Sequence, residues 1–160
     1  GIISVCCTRH GCWYPHSCAD LQKGEQYVGV CTSGPLLSNH GCWQIECVLM
    51  LYDIMCQYSV YFMEQFMCNP DELTLPKFKE ILKGIGKWHI QGHVDTCLPK
   101  FSPLFIWGIG NIDSEIVETL WSLLNLIAHS GHQMTLPSRA ELIDAHMNDN
   151  NYKKMIGMGE

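Results

Sequence analysis

Apolar and polar positions divide the chain into segments of different period. "IECVLML" is nearly continuous in apolar character at Val48, Leu49, Met50 and Leu51, the pattern of a strand buried on both faces, and it predicts a strand over 45–52. Past Asp53 the period changes. Ile54, Tyr58, Tyr61, Phe62, Gln65 and Phe66 recur at helical spacing, with Gln65 the one polar member, which predicts a helix over 54–67. "CNPDE" ends it, because Asn-Pro signals a turn and Pro cannot continue a helix. The strongest amphipathic stretch is "DSEIVETLWSLLNLIAH", residues 113–129, with Ile116, Leu120, Leu123, Leu124 and Ile127 on one face.

Weaker patterns fill the rest. Residues 1–7 read as a strand, and "SCADLQKGEQY" as the start of a short helix with Ser17 as its cap. Residues 30–41 are rich in Gly, Ser and Pro and read as a loop. A helix is expected over 75–82, capped by Thr74 or opened by Pro76. Residues 106–109 suggest a strand or extended lead-in, and 138–147 a last helix. There is no internal repeat and no low-complexity tract.

Composition narrows the picture. With 160 residues, 47% apolar and 16% charged, the chain suits one globular domain with a real core. No apolar run reaches the roughly 18 residues of a membrane span, and no signal-peptide pattern opens the chain. The chain starts on Gly with a strand pattern running at once, which suggests a piece of a longer protein. A net charge of −6 argues against a module whose affinity comes mainly from neutralising phosphates. It agrees with carboxylates that hold divalent cations. Ten Cys and eight His are many, yet the Cys density is below that of small disulfide scaffolds. Cys6, Cys47, Cys56 and Cys68 sit in apolar runs, where a thiol acts as a small hydrophobe, so a reducing compartment is expected.

Three groups of residues carry chemistry. The first is acidic. Asp53 stands where a core strand hands over to a core helix; it either caps that helix or exposes a functional acid at a strand end. Asp113, Glu115 and Glu118 lie on the first turns of the 113–129 helix, Glu115 and Glu118 sharing a face. Acids there either complement the helix dipole or join Asp53 at a cation site, in which case they lie within roughly 8 Å of it. The second is "HIQGHVDTC". If helical, it projects His89, His93 and Cys97 from one side as zinc ligands, with Cys56 or Cys68 as the fourth; otherwise it is a hydrogen-bonded cluster. The third is "CCTRHGC", where Cys7 and His10 have Cys-x-x-His spacing, a weak signal when alone.

The ordered blocks "VCCTRHGCWYPHSCADLQKGEQY", "YDIMCQYSVYFMEQF", "KWHIQGHVDTCLPKFS", "GIGNIDSEIVETLW" and "MTLPSRAELIDAHMNDNNYKKMIGMG" resemble the Kyakuja-Dileera-Zisupton (KDZ) transposases, abundant in mushroom-forming fungi. The resemblance covers nearly the whole chain. It implies an α/β fold, a partial RNase H-like DDE transposase catalytic domain lacking its N-terminal strands. It implies that Asp53 is the second acid of the triad and that the third is Glu118, three before Trp121, with Glu115 the alternative. The first acid is expected upstream of Gly1. Implied cofactors are Mg²⁺ or Mn²⁺, held by Asp53 and Glu118. His89, His93, Cys97 and Cys56 become candidate zinc ligands, the first three matching the family's His-x-x-x-His-x-x-x-Cys block.

The chain also departs from the family. Cys31 stands at an expected Asp, residues 30–43 diverge, and Ser114 and Thr119 replace an expected Gly and Arg. Thr119 lacks a cation that would contact phosphate.

The expected function is therefore metal-dependent DNA cleavage and joining by a nuclear transposase. Its partners would be transposon ends, target DNA and further copies of the chain, with the chain as given expected to be inactive alone. The alternative is a non-catalytic, zinc-stabilised, domesticated or decayed module. A secreted disulfide protein is a third reading.

Overall fold

The computed structural model describes residues 2–15, 17–21, 46–68 and 80–158. At its centre the apolar run forms β5 (Cys47–Leu51), after four two-residue strands, β1 (Ile2–Ile3), β2 (Cys6–Cys7), β3 (Cys12–Trp13) and β4 (Ala19–Asp20). β1 pairs antiparallel with β4, and β2 with β3. A helix, α1 (Met55–Cys68), follows β5 and leads toward β6 (Glu80–Gly84), which lies parallel to β5 with Leu51 opposite Gly84. Parallel neighbours need a crossover connection, and α1 lies in it. The fold is thus mixed α/β.

β6 corrects the helix expected over 75–82. Residues 74–79 lie outside the described residues, but 80–84 are strand. "EILKG" has no intrinsic strand strength, and the ladder with β5 decides its state, as tertiary context often does. The Tyr52 N–H extends that ladder to the Gly84 carbonyl at 3.1 Å.

Beyond β6 the chain forms two 3₁₀ turns, His89–Gly92 and Asp95–Cys97, and a single turn of helix, α2 (Leu98–Phe101). Residues 106–109, read as extended, are turns; Gly108 (φ 83°) and Gly110 (φ 71°) adopt left-handed conformations that side chains disfavour, and these break any strand. The 113–129 helix divides into α3 (Ile116–Asn125) and α4 (Ala128–His132). The last helix, α5 (Leu136–Gly157), runs past both ends of the expected 138–147. The start of the "SCADLQKGEQY" helix is instead β4, and the 30–43 loop lies outside the described residues.

Among the described residues, two cores hold these elements. Met55, Tyr58 and Phe62 of α1 pack with Ile85, Ile90 and Cys97. Tyr58 stands edge-on to both Tyr52 and Phe62, each pair with ring centroids 5.5 Å apart. Tyr61, expected on the buried stripe, is 56% exposed; Met55 is buried instead. Cys47 is exposed as well, because it begins β5 at the edge of this core. Trp13, Leu120, Leu124, Ile143 and Met147 form the second core. Leu123 of the expected α3 face is exposed. Asn151 fastens α5 to β3 by accepting from the Trp13 N–H at 2.7 Å and donating to the Trp13 carbonyl at 2.9 Å.

Tyr58 is fully buried between two aromatic rings. Tyr58→Ala is expected to cost about 3–5 kcal/mol, the range for deleting a buried aromatic ring, read from the urea midpoint. A loss below about 1 kcal/mol would contradict this packing.

Candidate functional site

Asp53 follows β5 directly, at the carboxyl end of the parallel pair, where open α/β sheets present functional groups. Glu115 and Glu118 enter from the start of α3, far along the sequence. Between them stands His89, on the first 3₁₀ turn after β6. Its Nε2 lies 3.6 Å from Asp53 Oδ1, 3.6 Å from Glu115 Oε2 and 3.6 Å from Glu118 Oε1. No two of these carboxylate oxygens can therefore be more than twice that distance apart, within the separation expected of acids sharing a cation site.

Backbone and side-chain bonds fasten the two halves. The Trp88 N–H donates to Glu115 Oε1 at 2.9 Å. The Lys87 N–H donates to Ser114 Oγ at 3.0 Å, and its ammonium to Asn111 Oδ1 at 2.5 Å and the Ile112 carbonyl at 2.7 Å. Ser114 is buried and is the acceptor that the Lys87 amide uses. Gly86 lies so close to the Glu115 carboxylate that a Cβ there would collide with it. Asp113 Oδ1 accepts from the Glu115 N–H at 3.1 Å, ordering the chain just ahead of α3.

The two glutamates differ. The Glu115 side chain is 14% exposed and fastened by Trp88; that of Glu118 is 52% exposed. The arrangement gathers three carboxylates around one imidazole. Even a doubly protonated His89 offsets only one negative charge, so the cluster favours further positive charge.

The second group separates from the first. Cys56, on the first turn of α1, His93 and Cys97 place their ligand atoms within 4.8 Å of one another, with Cys56 Sγ 3.3 Å from His93 Nδ1. Donors across a tetrahedral zinc stand about 3.5–3.8 Å apart, so this Cys-His-Cys group can bind a metal such as zinc with little movement. Cys97 is buried, which pushes its thiol pKa up, and the neighbouring Cys56 adds to the shift. Among the described residues this is the tightest such group, and the carboxylate cluster spreads wider.

His89 does not belong to it, which corrects the zinc set expected from one helical face. His93 (ψ 169°) and Val94 (ψ 148°) are extended and break the segment into two turns. His89 consequently faces the acids. Nothing in the local pattern marked that role, since it needs α3 beside the β6 turn.

The side chain of Cys68 lies outside the described residues. Cys7 Sγ and His10 Nδ1 are 3.4 Å apart in the turn joining β2 to β3, while the Cys12 thiol donates to the His10 carbonyl at 3.8 Å. Burial pushes the Cys6 thiol up to about 12, with the Cys7 and Cys12 thiols adding to the shift. The seven cysteines whose side chains are described are free thiols.

No helix among the described residues is long and apolar enough to cross a membrane. No curated protein and no solved structure matches the chain. A family model described as Kyakuja-Dileera-Zisupton transposase matches residues 1–151, and by that coverage of nearly its whole length the chain belongs to the KDZ transposase family.

Proposed function

We propose that this chain carries part of the catalytic centre of a DDE-type DNA transposase with an RNase H-like fold, acting on transposon ends and target DNA in the nucleus. The observation that carries the reading is the convergence of Asp53, Glu115 and Glu118 on His89 from segments far apart in sequence. The donor set is all carboxylate apart from one imidazole, which suits Mg²⁺ or Mn²⁺. Asp53 and Glu118, the more exposed acids, hold the cations. Glu115, fastened by Trp88, keeps the α3 end against the β6 turn. Divalent cations held by Asp53 and Glu118 would supply the Lewis-acid chemistry that activates a water, and later a DNA 3′-hydroxyl, toward a backbone phosphate. Cys56, His93 and Cys97 hold Zn²⁺ as a structural ion.

Mn²⁺ titration of the purified chain, followed by electron paramagnetic resonance, tests this reading. Saturable binding is expected, weakened at least tenfold by Asp53→Asn and by Glu118→Gln. Binding unaffected by either substitution would remove the acids from the site.

Thr119, exposed where the family carries Arg, favours a second reading, a zinc-stabilised module that no longer cleaves DNA. Stoichiometric zinc without any Mn²⁺ binding would select it.

A further inference from the structure

The two groups of ligands share their supports. Cys56 lies three residues past Asp53, on the first turn of α1, while His93 lies four residues past His89, beyond the turn that carries it. The Cys56–His93 contact at 3.3 Å is thus a bridge between the segment bearing Asp53 and the segment bearing His89 and the Trp88 N–H. Cys97 closes the bridge from the buried side. The same two segments also meet where His89 Nε2 approaches Asp53 Oδ1 at 3.6 Å and in the shared apolar core of Met55 and Ile90, contacts that constrain spacing less sharply than ligand bonds to a metal.

From this geometry we infer that zinc at Cys56, His93 and Cys97 is an allosteric clasp for the carboxylate cluster. Its occupancy fixes the distance from Asp53 to His89 and so sets the affinity of the acids for divalent cations. The inference rests on the proposed cation role of Asp53 and Glu118. Linkage makes the coupling reciprocal: if zinc tightens cation binding by a factor, cations tighten zinc binding by the same factor.

Two measurements on the full chain test it. In the first, Mn²⁺ affinity is read by electron paramagnetic resonance with one equivalent of zinc bound and after chelation. A decrease of about tenfold on zinc removal is expected, within the usual range of such couplings. Cys97→Ala is expected to show the weak affinity whether or not zinc is added, and Asp53→Asn to keep one zinc while losing Mn²⁺. The second needs no zinc-free protein, which avoids the question of whether that form stays folded. Zinc is stripped from the folded chain by a nitrogen-donor chelator indifferent to Mg²⁺. Saturating Mg²⁺ is expected to slow stripping several-fold in the unaltered chain and to leave Asp53→Asn unchanged. Mn²⁺ affinity independent of zinc, together with stripping independent of Mg²⁺, would overturn the clasp while leaving the cation site standing. Absence of Mn²⁺ binding in the zinc-loaded chain would overturn the cation site itself, and the clasp with it.

Discussion

Asp53→Ala is expected to reduce metal-dependent DNA strand cleavage by about a thousandfold, in the chain extended upstream to supply the further acid implied by the family resemblance. A carboxylate that holds a catalytic cation contributes several kcal/mol to the transition state, and about 4 kcal/mol corresponds to that factor. Glu118→Ala should match it. Glu115→Gln should lose less, about 10- to 100-fold, because its carboxylate works through the Trp88 N–H as a support, and lost outer supports usually cost that much. Stability separates the roles. The Asp53 side chain is 58% exposed beside two other carboxylates, so its removal should leave the melting temperature unchanged or slightly higher. The assay is nicking of a plasmid carrying the element's ends, with Mn²⁺. Cleavage by Asp53→Ala at the unaltered rate would eliminate the acid from the mechanism.

Chelating zinc should produce a large change in stability. Three ligands within 4.8 Å that come from α1 and two later turns are brought together only in the folded chain, so the binding free energy adds to folding. With free zinc a thousandfold above its dissociation constant, the gain is about 4 kcal/mol. At roughly 2–4 °C per kcal/mol for a chain of this size, removal should lower the melting temperature by about 10 °C. Cobalt in place of zinc should give thiolate-to-metal charge-transfer absorption, lost in Cys97→Ala and kept in Cys47→Ala, whose thiol is exposed and not a member of the group. A melting temperature indifferent to chelator would exclude a structural metal here.

Much of this could be read from the chain. The continuous run Val48–Leu51 did form β5, though half-buried rather than buried on both faces, and α1 begins within a residue of its expected start, because an unbroken apolar run and an amphipathic stripe are strong local signals. The family blocks singled out Asp53, Glu115 and Glu118, and the structure brings all three together around His89. Where expectation failed, the deciding interaction was long-range. "EILKG" became β6 because β5 offered a parallel partner. The polar sequence past Met147 stays helical with Asn151 holding Trp13, supported by an i,i+4 contact from Lys153 to Asp149 at 2.6 Å.

The histidines show the division most plainly. By itself the sequence determined which residue types were available: hard carboxylates at a strand end and a helix start, soft thiols and imidazoles in between. Four-residue spacing groups His89 with His93 and Cys97. Only the tertiary structure sorted them, sending His89 to the acids and His93 to the thiols. The physical reason is that a side chain's direction depends on backbone dihedrals and on which distant element lies opposite. Two extended residues, His93 and Val94, turned one presumed helical face into two separate sites.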